Sequence, residues 1–159
     1  MSRLARDILA AAGEPDAEVS LDLVGDRRMQ RLNRQYRGRD YPTDVLAFPM
    51  REAKGPASPL LGDVVISLHA AARQSAAGGR PIEQALATLL VHGILHLVGY
   101  DHERGAREAR RMRRKERFIL KSLRPVPRMI EARSLVSPQP SGRLQSRKAG
   151  LRAPRRRGP

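Results

Sequence analysis

The segment Ile82 to Val98 constrains this 159-residue chain more than any other. It is the most apolar stretch of helical length, and Pro81 before it suits a first helical turn. A helix that is apolar on nearly every side is stable only when the rest of the chain wraps it, so a place at the centre of the core is expected. Two histidines, His92 and His96, nevertheless sit on it. Four residues advance a helix by about 400°, so the two rings lie about 40° apart on one face and about one turn apart along the axis. Gly99 follows, a residue able to take the left-handed conformation that ends a helix. The chain can then turn and bring His102 back toward the same point.

Three neutral imidazoles around one ion, with the fourth vertex open, form the usual catalytic zinc arrangement, with Zn–N distances of about 2.0–2.1 Å. A single histidine on an apolar helix is more often a hydrogen-bonded core residue. A pair at i, i+4 with a third just past a glycine stop favours a shared ion, and His92, His96 and His102 are the expected ligands. The chain has no Cys, which removes thiolate sites, disulfides and a cysteine nucleophile. It also disfavours structural zinc, which fills four protein positions. One Zn²⁺ is expected, although three imidazoles also suit Ni²⁺, Cu or Fe. The spacing H-x-x-x-H-x-x-G-x-x-H is shared with metzincin proteases, which need Glu directly after the first His. Gly93 stands there instead, so a zinc peptidase is a minor alternative. Gly93 is expected to leave open space beside the ion for a bulky substrate. The fourth histidine, His69, is isolated and reads as a core or surface residue.

The remaining pattern predicts a helix over Ser2 to Ala12 and a strand around Val19, Leu21 and Leu23. Asp26 is a candidate N-cap for a helix carrying Met29, Leu32 and Tyr36. Arg37 ends that helix, either as a partner of the helix dipole or as a planar fork for a phosphate. Val45 to Phe48 reads as a short strand, residues 51–59 as an exposed loop, and Leu60 to Ser67 as another strand. His69 to Ala77 and a basic segment from Glu103 to Lys121 read as helices, the latter with Met112, Ile119, Leu120 and Leu123 along one stripe. The order is helix, strand, helix, strand, strand, helix, helix, helix. It implies an α+β single domain, a small mostly parallel or mixed sheet packed with helices.

Lys plus Arg number 31 against 16 Asp plus Glu, a net charge of +15. Such an excess calls for a polyanionic partner, nucleic acid being the commonest. Residues 1–123 hold 21 basic and 15 acidic side chains, residues 124–159 ten basic and one acidic. The second segment is rich in Pro, Gly and Ser and has no sustained apolar period, so 1–123 is the expected domain and 124–159 a disordered basic tail. That tail reads either as an arm that contacts phosphates or as a solubilising extension. No apolar run approaches the roughly 18 residues needed to cross a bilayer, and the N-terminal residues make a poor signal peptide. A cytoplasmic protein with no membrane association is expected.

At three blocks the sequence resembles the YbeY family of rRNA maturation factors, described as metal-dependent endoribonucleases. The blocks run from Leu32 through Arg37 to Pro49, from Leu61 to Ile66, and from Val91 to His102; Met112 and Glu116 extend the likeness to about residue 121. The resemblance implies an α+β domain with one ion held by His92, His96 and His102, and a functionally important Arg37. It implies cleavage of single-stranded RNA in maturing the 3′ end of 16S rRNA, a role in ribosome quality control, and the small ribosomal subunit as partner. Arg37 and His92 are the candidate catalytic residues. The family often has Asn at the position of Asp44 and Ser at that of Ala47, which leaves no expected role for those two side chains. Asp101 and Asp63 are candidate general bases, Asp101 alternatively orienting a ligand histidine, and attack by the RNA's own 2′-OH is a further route. The rival reading is a ribosome-associated RNA-binding assembly factor in which the metal mainly fixes the loop after Gly99.

Overall fold

Leu60–Ser67 has Leu61, Val64, Val65 and Ile66 on both of its faces, the pattern of a strand covered from both sides. In the computed structural model, which describes residues 2–51, 58–123 and Val126, it is the central strand of a three-stranded sheet. The elements are α1 (Ser2–Ala12), β1 (Glu18–Val24), α2 (Asp26–Arg37), β2 (Val45–Pro49), β3 (Leu60–Ser67), α3 (Leu68–Gly78), α4 (Ile82–Leu97), a 3₁₀ turn (His102–Arg104) and α5 (Ala106–Ser122). The strand order is β1-β3-β2, with β1 parallel and β2 antiparallel to β3. The expected α+β class with a small mixed sheet is what the chain adopts.

Side-chain alternation divides the core between the two faces of the sheet. Val65 and Leu46 join Val24 and Met29, so α2 closes one face. Val64 and Ile66 join the larger cluster built by α1, α3, α4 and α5. Helix α4 lies in the middle of that cluster, with Leu86, Leu90, Ile94 and Leu95 fully buried, as its composition requires. Met112, Ile119 and Leu123 anchor α5 against it along the predicted stripe.

Three local expectations are corrected. Gly93 lines the cleft with the histidines, but the room there does not come from its missing side chain. A Cβ there would stand 2.6 Å from Val64 Cγ1 and 3.3 Å from Val45 Cγ2, so the glycine serves the close approach of α4 to the sheet. Asp26 is not the N-cap of α2; Gly25 holds that position without a side-chain hydrogen bond. The Asp26 carboxylate instead accepts from Ser67 Oγ at 3.1 Å and pairs with Arg73, because the turn from β3 into α3 brings those partners within reach. His69 is a surface residue that takes the Asp26 N–H and so ties α3 to the start of α2, and Ser67 caps α3 by accepting from the Ala70 N–H. The last predicted helix is divided, with a 3₁₀ turn before Gly105 and α5 after it.

The expected loop at 51–59 lies mostly outside the described residues. So does the tail beyond 123, except Val126, which packs on the main core. No helix among the described residues is long and apolar enough to cross a membrane.

Gly93→Ala should destabilise the protein by about 1–2 kcal/mol through overpacking, although Ala is the better helix former. Denaturant unfolding measures this, and adding Val64→Ala should recover part of the loss.

Candidate metal centre

Helix α4 stops in a way that turns the chain back on itself. Gly99 has φ +93°, its N–H donates to His96 O at 3.1 Å, and the Tyr100 N–H donates to Leu95 O at 2.9 Å. This paired 5→2 and 6→1 closure satisfies the last carbonyls and needs a left-handed residue. Asp101 then caps the 3₁₀ turn, accepting from the Glu103 N–H at 2.9 Å and from Arg104 Nε at 3.2 Å. The Glu103 N–H bond, with help from Arg104, holds the Asp101 carboxyl below the usual carboxylate range. The turn fixes the position of His102.

The three imidazoles converge. Their ring centroids are 4.7, 5.2 and 5.1 Å apart, and each ring has a nitrogen within 4.8 Å of one on each of the other two. His92 Nε2 and His96 Nε2 are 3.1 Å apart. Two ligands about 2.05 Å from one ion at a tetrahedral angle stand about 3.3 Å apart, so this pair fits a single Zn²⁺-sized ion. Glu116 of α5 sets the orientation of His92. Its Oε1 lies 2.6 Å from His92 Nδ1. A carboxylate can only accept, so Nδ1 carries the proton and Nε2 turns a lone pair toward the other rings. Burial lowers the pKa of His96, and the neighbouring His92 and His102 lower it further, which keeps its ring neutral and able to ligate.

The histidines line a cleft of about 550 Å³. Helix α4 forms one wall and β2 with the loop before it the other. Arg37 and Arg39 line the cleft, and among the described residues neither makes an ion pair. Arg37 shares the cleft with the rings, and its charge adds a minor part to the lowering of the His96 pKa. Asn33, buried to 2 %, donates from Nδ2 to Tyr41 O at 2.7 Å and pins the loop that carries Arg39. Asp44 accepts from Gln74 Nε2 at 2.9 Å, and Ala47 lines the cleft beside it. The Ser67 N–H donates to Asp44 O and the Met50 N–H to Leu61 O, so even-numbered backbone groups of β2 face β3. The N–H and C=O groups of Val45 and Ala47 therefore lie on the free edge, and both residues line the cleft.

Of the candidate bases, Asp101 lines the cleft but uses both oxygens to hold its turn. Asp63 does not line it: it alternates with Val64 and so faces the α2 side of the sheet. Glu116 and Asn33 are residues of the site to which the sequence pattern assigned no role. Each sits on the apolar side of its helix, Glu116 four residues after Met112 and Asn33 four after Met29, and a polar side chain on a buried stripe was the available signal.

Fold and cleft together define a class: an α+β domain whose core helix delivers imidazoles to a cleft that also carries two arginines unpaired among the described residues. The family model for endoribonuclease YbeY matches residues 1–124. A protein of Anaeromyxobacter sp. (strain Fw109-5) called Endoribonuclease YbeY is 58% identical over 108 residues, covering 68% of this chain and 55% of that protein. One of Geobacter metallireducens with the same name is 48% identical over 122 residues, 75% of this chain and 81% of that protein. A solution structure from Thermotoga maritima superposes with a TM-score of 0.56 at 28% identity, over 77% of this chain and 79% of that one. The chain belongs to the YbeY family. It spans about half the length of the Anaeromyxobacter relatives that it matches.

Glu116→Gln should weaken metal affinity about 10–100-fold, read by competition with a chromophoric chelator, because His92 loses its charged orienting partner. In chelator-treated protein the folded His96 pKa lies below the unfolded value of 6.5, so the unfolded chain binds the proton first. Thermal stability should fall as pH drops through 6.5 toward the folded value, and His96→Gln should flatten that dependence.

Proposed function

We propose that this chain is a metal-dependent endoribonuclease that cleaves single-stranded RNA. Its place is the maturation of the 16S rRNA 3′ end and ribosome quality control, in the cytoplasm and on the small ribosomal subunit. The observation that carries the reading is the juxtaposition, in one cleft of a YbeY-family chain, of three convergent imidazoles with two arginines that have no acidic partner among the described residues.

His92, His96 and His102 would hold one divalent ion, Zn²⁺ or a substitute such as Ni²⁺, which when bound supplies Lewis-acid polarisation of a phosphoryl oxygen and acidification of water. The chain's own residues do the rest. Glu116 keeps His92 in one tautomer. Arg37 offers a planar fork to the phosphate and neutralises the charge that builds on it during cleavage. Arg39 holds a neighbouring phosphate, which fixes the strand along the cleft. The free backbone groups of Val45 and Ala47 hydrogen-bond whatever lies against β2.

A peptidase reading is weaker, because the position of its base is occupied by a glycine packed on Val64. For an assembly factor, the immobilised turn around His102 is the supporting feature.

Purified His96→Ala protein should not cleave a single-stranded RNA. Undiminished cleavage by it, with metal removed, would sink the nuclease. Arg37→Ala should lose about 10²–10³ in single-turnover rate with metal content unchanged. Equal residual rates in wild type and Arg37→Ala, with ribosome binding intact, would favour the assembly factor. The cleaved ends distinguish the nucleophile, since a cyclic 2′,3′-phosphate marks attack by the adjacent 2′-OH.

A further inference from the structure

Helix α5 carries a cationic row that the cleft does not use. Arg107, Arg110, Arg114, Arg117 and Lys121 recur at intervals of three and four, which places them in a stripe about 80° wide and about 21 Å long. All five are exposed, and none makes an ion pair among the described residues. The two acidic residues of α5 are spent elsewhere, Glu108 on Arg111 and Glu116 on His92. Like charges at these spacings oppose the helix, and a surface that serves solubility alone mixes its signs. The row therefore calls for a polyanion.

Two observations narrow that polyanion. The apolar side of α5 is buried through Met112, Ile119 and Leu123, so the helix has no apolar face left to enter a lipid surface. Phe118 is 61% exposed and stands beside the row, three and four residues from Lys121 and Arg114, with Lys115 Nζ 5.4 Å from its ring centroid. A duplex presents chiefly phosphates to such a surface. An unpaired strand presents phosphates together with bases that stack on an exposed aromatic. Glu116 is the one residue of α5 that lines the cleft, and the row is centred about 140° around the helix from it.

We infer that the outer face of α5 is a second RNA-contact surface, which holds an unpaired flank of a long RNA after it leaves the cleft, with Phe118 as the stacking platform. The choice of RNA rests on the nuclease reading; the surface itself is read by binding rather than cleavage.

The test uses the full chain as Arg110→Gln/Arg114→Gln/Arg117→Gln and, separately, as Phe118→Ala, with circular dichroism to verify that α5 persists. The probe is a long unpaired oligoribonucleotide, beside a short one that fills only the cleft. The triple variant should lower the slope of log affinity against log salt for the long probe by about 2, roughly 0.7 for each lost phosphate contact. Phe118→Ala should weaken the long probe about tenfold without changing that slope. Both variants should cleave the short probe at the wild-type rate. An unchanged slope and affinity would overturn the inference. So would a triple variant that loses binding to a duplex or to phosphatidylserine vesicles while holding the single strand as before. If the wild type itself leaves the short probe uncut while the binding differences persist, the nuclease reading fails and the surface stands.

Discussion

Contact between α4 and the sheet at Gly93, where the methyl groups of Val64 and Val45 occupy the space of a side chain, governs the geometry of the whole site. The helix lies low enough on β2 and β3 for Leu90, Ile94 and Leu95 to be fully buried. A helix embedded that firmly holds whatever it carries at its end. His92 and His96 inherit that rigidity, and the closure at Gly99 passes it on to His102. Loops alone seldom hold ligands to the tolerance that a shared ion demands.

Electrostatics and packing are joined at this point. Burial disfavours a charge on His96, and repulsion from the neighbouring imidazoles adds to that penalty. Glu116 reaches His92 from a different helix and gives the cluster its carboxylate. Across the cleft, Arg37 and Arg39 stand on and just after the end of α2, which brings a second helix and a second layer of the fold into the site. The cleft thus combines convergent imidazole nitrogens with two arginines, while Asp44, Asp101 and Glu116 in its lining are taken up by Gln74, the turn and His92. The free edge of β2 adds directional hydrogen bonding without any side chain.

Much of this was legible from residue order. The succession of elements, the central place of α4 and the apolar stripe of α5 all follow from periodicity, because each element must bury the face that its own pattern makes apolar. The convergence of His92, His96 and His102 was legible for the same reason: helical rise and a glycine stop are local rules. Other features depended on neighbours distant in sequence. Asp26 looked like a cap because Asp caps helices, but Ser67 and Arg73 arrive from 41 or more residues away and take its carboxylate, while His69 takes its N–H. Gly93 looked like space because nothing in the local sequence places Val64 against it. Asp63 looked available as a base until the strand register turned it away from the cleft.

Residue order alone settled which segments become helices and strands and which three side chains end up on one turn and its exit, since these depend on spacing within a single element. The assembled fold decided that Glu116 meets His92, that Asn33 pins the loop of Arg39, and that the edge of β2 faces the histidines. Those pairings join α5 to α4, α2 to its following loop, and sheet to helix. No local pattern encodes them, because the distance between two elements is fixed only when both bury their apolar faces in the same core.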